Sequence, residues 1–436
     1  MKPARMKILH SISSRIAASL AILSLCIASE TLGQSTKDGF SSYSGRYCEI
    51  VTDLALGDEL RELTSIFDAA IPLWCEIFDL PLGEVRSWRA TAHIMGARER
   101  FISSGKLPKD FPKFPHGFQW KNDIWVVEQP SDYYRRHLLL HEGTHWFMAR
   151  KYGSAGPPWL MEGVAEWLAT HRWNNGALTL GVIPRSRSDV PYWGRIALIQ
   201  DQLSSGVAPS LESILRYGTA AHQNVDAYAW SWAAVTFMRT NPDTQQIFQD
   251  FLATELKPDQ SLNRRLFNRL QQRWPHLRTQ WAAFVSELDY GYDTSQSAIV
   301  QFSLSAESLA RAHSLQISAR QSWQATGVTV SEGQKFRVTA QGRFVVRDYP
   351  KPWICEPPGV TIEYFRGQPL GKLLVSIMAP SPKESDVTEP TKVIPVGASS
   401  EIRAARSGEL FFKINETNGG LVDNSGDIHV ELAPMN

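Results

Sequence analysis

No run of five or six like charges interrupts this chain of 436 residues, so it carries no acidic or basic tail. Net charge is nearly absent as well. Forty-five Lys and Arg face 44 Asp and Glu, +1 overall, which argues against nucleic acid as a main partner. Cysteine is scarce, four in all, and no pair has zinc-ribbon spacing, so thiolate metal chemistry is not the function. Beyond residue 28 no apolar stretch approaches the ~20 residues that a membrane-spanning helix needs. Charged residues are only 20% of the chain and hydrophobic residues 43%, which excludes a mainly disordered polymer and supplies apolar surface for real cores.

What is present begins with an address. Lys2, Arg5, Lys7 and Arg15 precede an apolar run from Ile16 to Ala28, followed by small and polar residues to Ser35. This is the order of a secretory signal peptide, with cleavage expected between Ser29 and Ser35. Leu25 is large where a lipoprotein signal built on Cys26 wants a small residue; an uncleaved anchor is the other alternative. The expectation is an extracytoplasmic protein, periplasmic or secreted, with no membrane span after cleavage. In an oxidising compartment Cys48 and Cys75 can bridge, or remain buried thiols as Cys355 would; spacing does not choose between the two.

The rest divides into two blocks. Strands are expected over Tyr47–Leu54, Arg89–Met95 and Asn122–Glu128, and an amphipathic helix over Asp58–Phe78. Lys106–Gly117 carries three prolines and reads as an irregular loop. Helical patterns follow at Asp132–Tyr152, Pro158–Arg172, Asp226–Arg239, Asp243–Leu256 and Leu277–Leu288, and Asp289–Ser297 reads as a linker. After it, short alternating segments around Phe336–Ala340 and Ile428–Leu432, separated by turn-rich stretches, indicate an all-β sandwich. The expected organisation is a signal peptide (1–34), a mixed α/β domain with a helical half (40–290), and a β-sandwich (300–436), a multidomain α+β chain.

Chemistry concentrates on two consecutive helices. His141-Glu142-Gly143-Thr144-His145 is an HExxH string inside a helix that Ser131 can cap and Gly153 can end. Residues four apart share a helix face, so His141 and His145 can offer both imidazoles to one zinc ion, with Glu142 beside a bound water as its base. The next helix, PPWLMEGVAEW from Pro157, stacks Glu162 and Glu166 on one face. Glu162 can complete a His₂Glu set, and Glu166 can hold a ligand histidine through its other nitrogen. His137 continues the histidine row one turn earlier, too far along the axis for the same ion, and reads as structural.

HEGTH followed by WLMEGVAEW resembles the gluzincin zinc metallopeptidases, in particular an exported peptidase-MA-like group. The resemblance spans about 40–290 and is sharp across 137–170. It implies a zincin-like fold, a peptide or protein substrate, Glu162 as third zinc ligand and Glu166 as orienting acid. The aminopeptidase-type GxMEN string is absent, so trimming from a free N-terminus is not implied. The family's later helix often supplies an oxyanion donor, which maps onto Tyr228 in DAYAWSW; His222 and Tyr217 are rivals in the preceding loop. From geometry and family together, strand Ile124–Glu128 is expected to be the sheet edge that pairs with substrate.

Phe411–Glu416 and Val422–Gly426 look like the final hairpin of the galactophilic bacterial lectin sandwich, over about 320–434. That resemblance implies Glu416, Asp423 and Asn424 as residues on the side of a calcium ion and carbohydrate. Gly420 stands where the lectin has a side-chain ligand and Glu416 where it has Asp, leaving calcium short of its six to eight oxygens. The leading expectation is therefore an exported zinc endopeptidase. The alternative is a carbohydrate-binding or cell-surface adhesion protein on a non-catalytic zincin scaffold, and a third reading is a peptidase held latent by its own second domain.

Overall fold

The computed structural model describes residues 34–35, 39–55, 57–153, 156–219, 224–254, 262–297, 300–384 and 392–436. Residues 1–33 of the expected signal peptide, Cys26 among them, and His222 lie outside them. The first strands are β1 (Gln34–Ser35), β2 (Ser41–Ser44) and β3 (Cys48–Thr52), followed by helix α1 (Asp58–Ile77) and β4 (Ala90–Met95). Helix α2 (Arg98–Ser103), β5 (Gly117–Trp120) and β6 (Asp123–Val127) come next. They build one six-stranded sheet in the order β1-β2-β3-β4-β6-β5, with β3, β4 and β6 parallel and β5 antiparallel at the end. This corrects the expected edge: the strand near Ile124–Glu128 is interior, and β5 forms the edge. In GFQW only Phe118 and Trp120 alternate with Gly117 and Gln119, too short a pattern to mark a strand directly after a triple-proline loop.

Helix α3 (Asp132–Tyr152) packs on strands β4, β5 and β6, and α4 (Pro158–Ala169) packs on α3. Ser131 caps α3 by accepting from the Tyr134 amide at 3.3 Å, and Gly153 ends it in the left-handed region at φ +74°. Pro157 and Pro158 open α4 where no helical N–H is lost. The expected helix to Arg172 stops at Ala169. There β7 (His171–Asn174) turns back into β8 (Ala177–Leu180) through Asn175 (φ +50°) and Gly176 (φ +80°). An Asn-Gly pair with both φ positive is the preferred two-residue hairpin turn, and it overrides the apolar helical period running through Trp167.

Six further helices follow among the described residues: α5 (Arg195–Ser204), α6 (Leu211–Leu215), α7 (Val225–Thr240), α8 (Gln245–Thr254), α9 (Leu262–Leu270) and α10 (Trp274–Glu287). Helix α7 packs closely on α4. A Cβ at Gly163 would sit 2.5 Å from the Ser231 carbonyl, so only glycine permits this approach. In the same way a Cβ at Gly143 would meet Phe67 and Trp74 of α1 at 2.8 Å. The glycines inside HEGTH and MEGVAE thus set the distances between α3, α4 and their neighbours. No helix among the described residues is long and apolar enough to cross a membrane.

The C-terminal half is β-rich. Its strands run from β9 (Glu307–Ser308), β10 (His313–Ser318), β11 (Gln324–Val330) and β12 (Lys335–Gln341) through β13 (Phe344–Val345) and β14 (Ile354–Cys355). They continue with β15 (Val360–Phe365), β16 (Gln368–Leu370), β17 (Leu373–Met378) and β18 (Val393–Pro395), then β19 (Ser399–Arg403), β20 (Gly408–Ile414) and β21 (Asp427–Met435). A four-stranded sheet β10-β21-β12-β19 and a five-stranded sheet β18-β17-β20-β11-β9 share one core, with Phe336 and Val430 facing it from the first and Val375 and Phe412 from the second. The expected closing hairpin is not one. Strands β20 and β21 lie in different sheets, because the 3₁₀ turn Asn418–Asp423 carries the chain across the core.

Residues 33–436 form one compact unit. Ala283 of α10 joins Val300, Trp323, Leu374, Met378 and Phe411 in a cluster linking the two halves. The expected linker is itself packed: Tyr292 is buried with its hydroxyl donating to the Ser297 carbonyl, and Gly291 N–H donates to Pro184. Cys48, Cys75 and Cys355 are free and buried, so the Cys48–Cys75 bridge is not formed.

At the end of α10 the buried Glu287 carboxylate accepts from Lys413 Nζ at 2.5 Å and from Arg366 at 3.3 Å. Removing one partner of a buried pair leaves the other charge uncompensated. We expect Glu287→Gln to lower unfolding free energy by about 3 kcal/mol in urea titrations, and Lys413→Met added to it to restore part of the loss. A change near zero in the single variant would show that the Trp323 ring, 5.2 Å from Lys413 Nζ, suffices to hold the ammonium.

Candidate metal centre

His141 and His145 project from α3 one turn apart, and Glu162 reaches them from α4. His141 Nε2 lies 3.1 Å from His145 Nε2 and 3.2 Å from Glu162 Oε2, and His145 Nε2 is 3.4 Å from the same oxygen. The triangle is nearly equilateral. Ligand atoms about 2.0–2.1 Å from a tetrahedral ion stand roughly 3.3–3.4 Å apart, so the three atoms match one face of such a polyhedron and leave one vertex open. The donor set has the right chemistry too. Two imidazole nitrogens and a carboxylate oxygen converge in a buried place, an arrangement of lone pairs that a cation satisfies. Among the described residues the groups able to hold a metal ion are this one and His137–His141–Glu166.

The second group is already occupied by a protein cation. Glu166 Oε1 accepts from Arg195 Nη2 at 2.9 Å, and Oε2 accepts from Arg195 Nε at 3.2 Å and Trp193 Nε1 at 3.3 Å. Burial pushes Glu166 up, but Arg195, His137 and His141 outweigh it and hold its carboxyl well below the usual range. Glu166 Oε1 stands 3.5 Å from His141 Nδ1, an ion-pair distance rather than the hydrogen bond expected from the spacing. His137 is buried, with Nδ1 3.1 Å from the Ala169 carbonyl, its ring stacked on Tyr134 and Nε2 3.4 Å from Glu166. It stays off the ligand triangle.

Glu142 points the other way round α3, toward the sheet edge. A Cβ at Gly117 would lie 2.5 Å from Glu142 Oε1, so the first residue of β5 must be bare for the carboxylate to fit. Burial, opposed by His145 and reinforced by Glu162 and Glu166, pushes the Glu142 carboxyl up to about 8. A cation held by the neighbouring triangle would favour its ionised form.

Tyr228 enters from α7, half-buried, with its ring 6.1 Å from that of His141 and 5.9 Å from the Arg195 guanidinium. Burial, with the Glu162, Glu142 and Glu166 carboxylates adding to it, raises its pKa and keeps the hydroxyl protonated. Its rival Tyr217 packs on the main core, where burial and Asp226 raise its pKa to about 12. Three participants were invisible in the sequence reading: Arg195, Trp193 and Gly117. Arg195 lies 29 residues from Glu166 with no periodic signal joining them. It also hydrogen-bonds Tyr134, and it is charged at every relevant pH because Glu166 offsets its burial.

In the C-terminal half the three residues carried over from the lectin resemblance serve the backbone. Glu416 Oε1 accepts from the Thr417 amide at 2.8 Å, Asp423 accepts from the Asp348 amide at 3.2 Å, and Asn424 donates to the Ala319 carbonyl at 3.0 Å. Burial raises the Glu416 carboxyl to about 7, Thr417 and Arg347 lowering it and Glu363 adding to the rise. Neither Glu416 nor Asp423 belongs to a metal-binding group among the described residues.

No protein-family profile matches the chain, and no curated protein matches it. Solved structures similar to parts of it include the EclA N-terminal domain, a PllA-like lectin, at 18% identity and TM-score 0.22 over 28% of this chain and 95% of that one. PliG of Aeromonas hydrophila, a periplasmic inhibitor of g-type lysozyme, aligns at 10% identity and TM-score 0.16 over 31% of this chain and 93% of that one. IMPa from Pseudomonas aeruginosa in complex with an O-glycopeptide aligns at 9% identity and TM-score 0.17 over 90% of this chain but only 42% of that one. Likenesses this weak assign no fold family to the chain.

Proposed function

We propose that the protein is an exported zinc-dependent endopeptidase. The observation that carries the reading is the His141–His145–Glu162 triangle, 3.1–3.4 Å on each side, with a buried carboxylate at Glu142 next to it. Zinc held there would polarise the scissile carbonyl and acidify the attacking water. Glu142 takes one proton from that water as its oxygen bonds to the carbonyl carbon. The same carboxyl then delivers the proton to the amine nitrogen as the C–N bond breaks. Tyr228, held protonated among carboxylates, donates a hydrogen bond to the oxygen that becomes negative. Strand β5, the sheet edge beside Glu142, is the surface on which an extended peptide would lie.

An intact Glu142, buried against Gly117, favours this reading over a carbohydrate-binding scaffold that has lost its chemistry. The test is casein hydrolysis by the full chain before and after a chelator, and again after zinc is returned. Cleavage that disappears and comes back supports the proposal; a zinc-loaded protein that never cleaves contradicts it. A second expectation concerns Gly117→Ala. Its methyl would displace the Glu142 carboxylate by about 1 Å, and such misplacement costs about 10²-fold in kcat. Metal content should be unchanged, which separates this loss from a ligand defect.

A further inference from the structure

The charge of the chain is unevenly placed around β5. Residues 98–121 hold six basic side chains and two acidic ones, +4 in a protein whose total is +1. Arg100 is paired with Asp53 at 3.5 Å, and the Arg98 guanidinium lies over the Phe114 ring at 4.5 Å. Lys109, Lys113 and Lys121 are exposed and pair with no described residue. Unpaired lysines on a surface loop are ordinary by themselves. Their placement is less so, because the loop is tied to the sheet edge by its aromatic residues.

Side chains alternate along β5, as in any strand. Gly117 faces Glu142, and Phe118 faces the opposite side, where Phe114 stacks on it at 5.5 Å and Phe111 meets it edge-on at 5.5 Å. Phe111 also touches Trp120 and Trp125, at 6.2 and 5.2 Å. Lys109 and Lys113 flank Phe111 by two residues each, and Lys121 follows Trp120 in the turn to β6. The three lysines therefore belong to the loop and the turn on either side of β5, the strand that ends the sheet opposite β1, pairs among the described residues with β6 and runs past the candidate base. Trp120, the last residue of β5 and the neighbour of Lys121 in the chain, is 52% exposed.

We propose that this border selects an acidic polypeptide: a segment that pairs with the free edge of β5 and carries Asp or Glu side chains next to the scissile bond. The inference rests on the peptidase reading for what happens to the segment, but not for its binding. Backbone pairing along β5 is indifferent to side-chain identity, so the flanking charges supply the discrimination. Rim charges of this kind act on encounter and are weakened by salt.

The experiment uses the full chain and two fluorescent peptides of equal length, one with Asp and Glu around its centre, the other with Asn and Gln there. In wild type the ratio of kcat/KM, acidic over neutral, should exceed one and shrink as salt rises. In the variant Lys109→Glu/Lys113→Glu/Lys121→Glu the ratio should fall about tenfold, mainly through KM, and the corresponding Lys→Gln variant should fall less. Anisotropy of the same peptides on Glu142→Gln protein reads binding without turnover. Acidic-peptide binding that the reversal removes, with no hydrolysis by wild type, would uphold the surface and sink the peptidase reading. Cleavage with a ratio of one, or a ratio that ignores the reversal, would overturn the surface and leave the peptidase reading standing. Equal displacement of the acidic peptide by a single-stranded oligonucleotide would also overturn it, marking a general anion surface.

Discussion

Replacing Glu142 with Gln is expected to lower kcat/KM for the proposed peptide hydrolysis by about 10²–10⁴-fold, the usual worth of a positioned acid–base group, and to leave metal binding unchanged. The amide keeps the size of the carboxylate and its place against Gly117, but it can neither take a proton from water nor return one to the leaving amine. Because Glu142 lies outside the His141–His145–Glu162 triangle, the ligand atoms are untouched. Activity and metal content should therefore separate in this variant. A Gln variant that cleaves casein as well as wild type would remove Glu142 from the chemistry. One that loses its metal would place Glu142 in the ligand set.

The second large effect belongs to Arg195, whose role is to position Glu166 rather than to touch substrate. Both Glu166 oxygens are committed to its guanidinium, and both residues are buried. Arg195→Met would leave a buried carboxylate without its cation, a loss of about 3–5 kcal/mol in stability. Glu166 would then be free to leave its place 3.5 Å from His141 Nδ1, and the ring that presents Nε2 to the metal would lose its backing. Groups behind a ligand histidine are typically worth about 10–100-fold in metal affinity. The expected result is weaker zinc binding in a competition titration with a chromogenic chelator, partly recovered in Arg195→Lys. An unaltered affinity together with reduced stability would make the pair purely structural.

The centre was legible wherever its geometry is local. HExxH and the Glu four residues before Glu166 need only the helical repeat to share a face, and the caps Ser131 and Gly153 mark the helix that carries them. Tyr228 was reachable through resemblance, and the close approach that brings α7 to α4 depends on Gly163, already part of the motif. What depends on distant residues was hidden. Nothing near Arg195 announces a partner 29 residues away, and the sheet edge moved from the Ile124 strand to GFQW because four residues after a proline loop carry too little pattern. The β7–β8 turn is signalled by Asn175-Gly176, yet the helical apolar period extends to Arg172, two residues into β7. In the C-terminal half, alternation located the strands but not their sheets. Neighbours in sequence such as β20 and β21 suggest a hairpin, although a six-residue turn separates them across the core.

The central claim is that two imidazoles and one carboxylate hold a catalytic divalent ion. It is tested most directly by measuring the metal content of the purified full chain together with metal-edge X-ray absorption. The account predicts about one zinc per chain, with nitrogen and oxygen ligands at roughly 2.0–2.1 Å and a spectrum consistent with two imidazoles, and loss of that zinc in Glu162→Ala. A folded protein that takes up no stoichiometric metal after dialysis against zinc, or that binds it as well without Glu162, would contradict the account.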